Sequence, residues 1–344
     1  MNLIDLGWDD GFAASFEPNK DDCEPARVAA QHRGGYDVLT EGGQRRASLT
    51  GRLRHEAASA AELPAVGDWV ALREETIHAV LPRRSAFSRK AAWAPTEEQV
   101  LAANLDAIFV VSGLDADLNL RRLERYLTLA WESGATPVLV LTKADLCEDV
   151  DAALFEVEQV AVGVAAHAVS NVNGAGIGEL APYLAPARTV ALLGSSGVGK
   201  STLANRLAGE ELQATHEIRE DGRGRHTTTS RQLIHLPGGA LLVDTPGLRE
   251  VQLWDADEGI NEAFADVDEL AAGCRFNDCA HLHEPGCAVQ AAIDGGRLPR
   301  ERLQSYRLLQ RELERLALKQ DARLRSDARK QRAAFARSLR KASW

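Results

Sequence analysis

The chain has 344 residues, 45% hydrophobic and 26% charged, which is the composition of a water-soluble protein of two or three domains. No apolar run reaches the length of a membrane span, and the acidic opening Met1–Asp10 is unlike a signal peptide, so a cytoplasmic protein is expected. The formal net charge of −10 speaks against nucleic-acid binding only if it is evenly spread, and it is not. Residues 297–344 hold 15 Lys+Arg against 5 Asp+Glu, leaving 25 against 45 on the rest. A basic arm on an acidic body suits contact with a polyanion.

Residues 1–25 look like an irregular lead-in whose Trp8, Phe12 and Phe16 could dock elsewhere. Over 26–90 the pattern becomes short strands punctuated by Gly34-Gly35 and Gly42-Gly43: Val28–His32, Tyr36–Thr40, Arg46–Thr50, Asp68–Leu72 and Thr76–Leu81. Five such strands in about sixty residues predict a small OB-like β-barrel. Arg33, Arg45, Arg46, Arg52 and Arg54 could meet RNA phosphates there, although a barrel can equally serve for docking alone. Arg83–Lys90 follows as a basic linker. The next unit, 98–252, alternates apolar strands (Ala107–Val111, Val138–Leu141, Val164–Val169, Thr189–Leu193, Ala240–Val243) with helical spacing, the pattern of a doubly wound α/β domain.

Between the Thr189 strand and a helical run lies Gly194-Ser195-Ser196-Gly197-Val198-Gly199-Lys200-Ser201-Thr202. Strand, G-x-x-x-x-G-K-S and helix make a phosphate-binding loop. Its glycines let backbone N–H groups curl round an anion at the positive end of a helix. Lys200 would reach the terminal phosphates, and Ser201 would ligate Mg²⁺. Asp244-Thr245-Pro246-Gly247 closes the last strand: Asp244 can hold Mg²⁺ through water, and the Gly247 N–H can meet a γ-phosphate. Gly222–Thr229 lies between, and one of its threonines, Thr229 being our choice, would complete the Mg²⁺ shell.

Thr142-Lys143-Ala144-Asp145 ends the Val138–Leu141 strand. A carboxylate there accepts from the guanine N1–H and N2–H₂, which adenine lacks, while Lys143 lies along the base. Ser170-Asn171, after the next strand, can add a backbone N–H for the guanine O6. These base-reading residues precede the phosphate loop, the reverse of the usual GTPase order. With only one phosphate loop present, a single site in a circularly permuted domain is the simpler account.

In the C-terminal module, 253–344, Cys274, Cys279 and Cys287 accompany His281 and His283. Three thiolates and one imidazole make a closed, structural zinc site, with His281 as the fourth ligand and His283 as its substitute. Beyond Pro299 there is no Pro or Gly, which predicts a long basic helix.

These motifs resemble the RsgA/YjeQ family of circularly permuted GTPases that depend on the small ribosomal subunit. The marks are T-K-A-D at 142–145, G-S-S-G-V-G-K-S-T at 194–202, G-R-G-R-H-T-T-T at 222–229, D-T-P-G at 244–247 and C-R-F-N-D-C-A-H-L-H-E-P-G-C at 274–287. The resemblance implies a factor in late small-subunit maturation that binds rRNA and has weak GTPase activity stimulated by that subunit. It implies zinc on Cys274, Cys279, His281 and Cys287, and GTP, GDP and Mg²⁺ as the other ligands. A monomer is expected. Thr142 departs from the family's Asn, which puts the bond from this position to the phosphate loop in question.

Leu248 stands where many GTPases carry a water-orienting Gln, so slow unstimulated hydrolysis is expected, with His226 as the group that positions water. The competing readings are a P-loop kinase and a nucleotide-bound RNA scaffold that needs no hydrolysis.

Overall fold

The computed structural model describes residues 2–32, 34–90, 98–115, 118–209, 232–244, 257–282 and 284–314. The lead-in proves to be folded. Asp9 accepts the Gly11 and Phe12 N–H groups and so caps helix α1 (Asp10–Phe16). Phe12 and Phe16 are buried, and Trp8 meets Trp69 edge-on with ring centroids 4.7 Å apart. Arg84 pairs with Asp9 and covers the Phe12 ring at 3.9 Å, holding the helix against the barrel.

The barrel consists of β1 (Glu24–His32), β2 (Gly35–Thr40), β3 (Gly43–Leu49), β4 (Trp69–Arg73) and β5 (Thr76–Val80), with α2 (Gly51–Glu56) between β3 and β4. Pairing runs β1-β2-β3-β5-β4 and returns to β1, with β3 and β5 parallel, so the barrel closes. Ala26, Val28, Tyr36, Val38, Ala47, Val70, Leu72 and Ile77 fill its interior. Alternating strand positions supply this core, as the period of two requires.

The basic linker is not a free strap. Arg83 donates to both carboxylate oxygens of buried Asp68 and to the carbonyls of Ala61 and Leu63. Beyond it, β6 (Ala86–Lys90) and β7 (Glu98–Ala103) pair antiparallel as a separate two-stranded sheet.

The α/β unit contains β8 (Ala107–Gly113), α3 (Leu120–Glu132), β9 (Thr136–Thr142), α4 (Val150–Glu158), β10 (Ala166–Ala168), β11 (Thr189–Leu193), α5 (Lys200–Ala208), β12 (Gln232–His235) and β13 (Leu241–Asp244). Its order is β10-β9-β8-β11-β13-β12, parallel except for β12. The chain winds outward from β8 through β9 to β10, then returns to β11 on the other side of β8. That reversal between β8 and β11 is the position where open α/β sheets bind ligands, beyond the carboxyl ends of the strands.

A bridge between Ala30 of β1 and Gln232 of β12 joins barrel and sheet. Arg27, buried on β1, strengthens the junction by donating to the carbonyls of Leu6, Gly67 and Asn104 and to Thr189 Oγ1 at the start of β11. Burial pulls its pKa down to about 10, so it remains a cation at neutral pH.

The C-terminal module has α6 (Asp257–Ala263), α7 (Ala265–Ala271), α8 (Ala288–Asp294) and a helix α9 over 300–314. Leu303, Tyr306, Leu309 and Leu313 are the buried stripe of α9. Arg302 of α9 is 2% exposed, and its guanidinium joins Glu124 of α3 and Asp266 of α7 at 2.9 Å each. The bidentate pair Arg125–Glu312 adds a second link between α3 and α9. Among the described residues no helix is long and apolar enough to cross a membrane.

Candidate guanine-nucleotide site and metal centre

The phosphate loop occupies the turn between β11 and α5, flanked by parallel β8 and β13. Val198, 1% exposed, anchors it among Val111 and Leu203 of the sheet core. Gly199 has φ +90, and a Cβ there would stand 3.0 Å from Asn171 Nδ2, so close approach demands glycine. The Lys200 ammonium folds back onto the carbonyls of Gly194 and Ser195. This is an arrangement that an incoming phosphate can displace. Ser201 and Thr202 lie in the first turn of α5, with Ser195, Ser196 and Gly197 around the bend. Asp244 ends β13, whose Val243 pairs with Ala191, so the residue stands at the end of the strand next to the one that feeds the loop.

The base-reading segment converges on the same edge. Lys143 adopts φ +60 after β9 and pairs with Asp115, which follows β8. Asp145 sits exposed in the turn Ala144–Leu146 and accepts from Ser170 Oγ at 2.5 Å. Ser170 Oγ also accepts the Val172 and Asn173 N–H groups, which folds the loop after β10 around the carboxylate.

Two hydrogen bonds stitch this segment to the phosphate loop. Thr142 Oγ1 contacts Val198 O at 2.5 Å, and Asn171 Nδ2 donates to Gly199 O at 3.1 Å. The departure from Asn at position 142 therefore does not cut the connection, because a buried hydroxyl makes it instead. Residues 142–145, 170–171 and 194–202 thus share one end of one sheet. Arg206 and Asp115 join them there, and no motif had singled either out. His226, Thr229 and Gly247 lie outside the described residues, as do His283 and the Leu248 position.

The cysteine cluster forms a second site. Ligands about 2.3 Å (sulfur) and about 2.0 Å (nitrogen) from a tetrahedral zinc stand about 3.5–3.8 Å apart. Cys274 Sγ and Cys287 Sγ are 3.9 Å apart, and each is 3.5 Å from His281 Nδ1. With Cys279, the four ligand atoms lie within 4.8 Å of one another. Burial, helped by Arg307, keeps the His281 pKa low and favours the neutral imidazole that a metal requires. His281 holds φ +55, and its carbonyl accepts from Gln290 and from Arg307 of α9, which fixes the loop. The donor set and spacing fit structural zinc, with all four positions taken by protein.

Comparison with known proteins agrees with this geometry. The model of the RsgA GTPase family matches residues 80–254. A model of the ABC transporter family also matches 179–343, which includes the phosphate loop but not Thr142–Asp145. A small ribosomal subunit biogenesis GTPase RsgA from Opitutus terrae is 52% identical over 91% of this chain and 90% of its own length. Its namesake from Streptomyces avermitilis is 48% identical over 95% and 90%. The crystal structure of YjeQ from Thermotoga maritima superposes with a TM-score of 0.64 and 26% identity, covering 84% of this chain and 98% of that one. YloQ, described as a circularly permuted GTPase, gives 0.61 and 25%, covering 85% and 95%. With its permuted nucleotide domain, leading barrel and Cys₃His cluster, the chain belongs to the RsgA family of small ribosomal subunit biogenesis GTPases.

Proposed function

We propose that this GTPase acts on the small ribosomal subunit itself, binding its rRNA and converting GTP and water to GDP and phosphate when that subunit stimulates it. The observation that carries the reading is the joining of Thr142 and Asn171 to the phosphate loop, because it unites base recognition and phosphate binding in one site. Asp145 reads the guanine N1–H and N2–H₂, Lys143 and Ala144 flank the base, and the Ser170–Asn171 loop meets O6. Gly194–Thr202 surrounds the phosphates, with Lys200 leaving its loop carbonyls for the β- and γ-oxygens.

Ser201, Thr229 and, through water, Asp244 are the oxygen donors for Mg²⁺, a set that suits a hard cation. When bound, Mg²⁺ neutralises charge developing on the β- and γ-phosphates. The Gly247 N–H meets the γ-phosphate, and His226 orients the attacking water when the subunit is bound. An activation of about 10³–10⁵ corresponds to about 4–7 kcal/mol, within reach of one ordered water-positioning group. Zinc on Cys274, Cys279, His281 and Cys287 contributes folding energy, with no open position for catalysis.

Polyanion contact falls mainly to the basic segment 297–344. Arg45, Arg46 and Arg52 of the barrel are engaged by Glu24, Asp37 and Glu56, so RNA would have to exchange these partners. We further propose a cytoplasmic monomer.

The test is the GTPase rate with and without purified small subunits, repeated at raised salt. Stimulation should be large for wild type, absent for Lys200→Ala, much reduced for His226→Ala, and should fall steeply with ionic strength. A subunit-independent rate, or stimulation insensitive to salt, would contradict the reading.

A further inference from the structure

Helix α5 is tied to the loop after β10 by a residue outside every motif. Arg206 lies six positions beyond Lys200 and donates from Nη1 to Asn171 O at 2.7 Å. Asn171 returns a bond to the phosphate loop through Nδ2 and Gly199 O, so helix, base loop and phosphate loop form a closed circuit. The loop is shaped around the guanidinium. Gly174 has φ +85, and a Cβ on it would stand 2.4 Å from Arg206 Nη2 and 3.3 Å from Cζ. The turn is also tied to itself: Gly174 N–H donates to Ser170 O, and Ser170 N–H to Ala175 O. Ser170 Oγ holds Asp145 from inside the same turn.

The peptide after Asn171 is therefore gripped at its carbonyl by Arg206, while its N–H, on Val172, is turned toward Ser170 Oγ at 3.3 Å. Without the guanidinium, the turn would keep its internal bonds but be tied to α5 only through Asn171 Nδ2 at the Gly199 cap.

Resting on the guanine reading above, we infer that Arg206 is a positioning residue for guanine: it holds the Ser170–Gly174 turn, and through Ser170 the Asp145 carboxylate, at a fixed distance from the phosphate loop. The ligand class is a guanosine di- or triphosphate, and the property under control is selectivity for the base.

The test is titration of the full-length chain with GDP, IDP and ADP, for wild type, Arg206→Ala, Arg206→Lys and Gly174→Ala. IDP lacks the 2-amino group, so its binding draws less on the Asp145 geometry. Arg206→Ala should weaken GDP binding about tenfold and IDP binding by less, narrowing the guanine-to-inosine preference. Subunit-stimulated turnover should show a KM for GTP raised about tenfold with kcat within about twofold. Gly174→Ala should reproduce the effect by displacing the guanidinium, and Arg206→Lys should be intermediate. The nucleotide-free melting temperature should barely move, since Arg206 is exposed. Unchanged GDP affinity, or equal losses for GDP and IDP alongside a lowered melting temperature, would overturn the proposal. A wild type that binds ADP as tightly as GDP would sink the guanine reading and this proposal together, whereas an unaltered variant beside a guanine-selective wild type sinks this one alone.

Discussion

Two of the seams in this molecule are made of opposite chemistry. Between base loop and phosphate loop, the links are a hydroxyl, an amide and a surface guanidinium, each spent on a backbone carbonyl. Between the α/β sheet and the C-terminal module, the link is a buried cation shared by two carboxylates, with Phe264 against the guanidinium at 4.2 Å. The two neutral bonds of the first kind are worth about 0.5–1.5 kcal/mol each and the exposed guanidinium bond about 1.5–3 kcal/mol before solvent screening. Opening the second seam would isolate a buried charge at about 3–5 kcal/mol. Each link on the nucleotide side is therefore weaker than the buried ion pair that fastens the module to α3.

The largest effect that would sharpen this contrast lies in the module itself. With zinc on the proposed Cys₃His site, its removal should withdraw an apparent binding energy of about 10–16 kcal/mol from the loop that carries the ligands. Chelation, or Cys279→Ser, should abolish protease protection across 257–314 and leave GDP binding largely intact. Metal analysis should find one zinc per chain before treatment. Protection that survives complete metal removal would mean the helices alone hold the module.

Next comes Arg302→Ala, which should cost about 3–5 kcal/mol in denaturant titration, because Glu124 is 2% exposed and would be left unpaired. Adding Glu124→Leu should recover part of that loss, since the stranded carboxylate is gone. A cost under about 1 kcal/mol would remove the distinction between the seams.

On the nucleotide side the expected effect is smaller. Thr142→Val deletes one hydroxyl at a fully buried position and should weaken GDP binding about two- to tenfold, with a small change in stability. Thr142→Asn should restore binding by returning an amide donor. An unaffected Thr142→Val protein would show that Asn171 suffices as the link.

The smallest effect is a pH-dependent one at the lead-in. The Arg84 guanidinium, followed by the capping N–H groups, holds the Asp9 pKa at about 2. A carboxylate depressed on folding stabilises the native state above its unfolded pKa, near 4, and loses that contribution as pH falls toward 2. The melting temperatures of wild type and Asp9→Asn should therefore differ modestly from pH 7 to 5 and converge between pH 4 and 2. A difference that grows on acidification would contradict the assignment.

What the sequence disclosed, and what it hid, follows from the same contrast. The phosphate loop, the base-reading tetrapeptide and the cysteine cluster are contiguous, so spacing alone displays them. The barrel was legible because glycine turns separate its strands. The helix at Asp10–Phe16 also carried a signal, Asp9 as a cap with Phe12 and Phe16 at i and i+4, but the acidic, turn-like context obscured it. Arg27, Arg206 and Arg302 gave no signal, because nothing local separates a buried or bridging arginine from the other arginines of the chain. Their partners lie 162, 35 and 178 positions away, at Thr189, Asn171 and Glu124.

Calorimetry with GDP, ADP and XDP on wild type and Asp145→Asn addresses the composite pocket most directly. Wild type should bind GDP and scarcely bind ADP, while Asp145→Asn should lose GDP and gain XDP, whose 2-oxo group accepts from the new amide. Comparable affinity of wild type for ADP and GDP, or an Asp145→Asn chain that still prefers GDP, would mean the two segments do not serve one nucleotide.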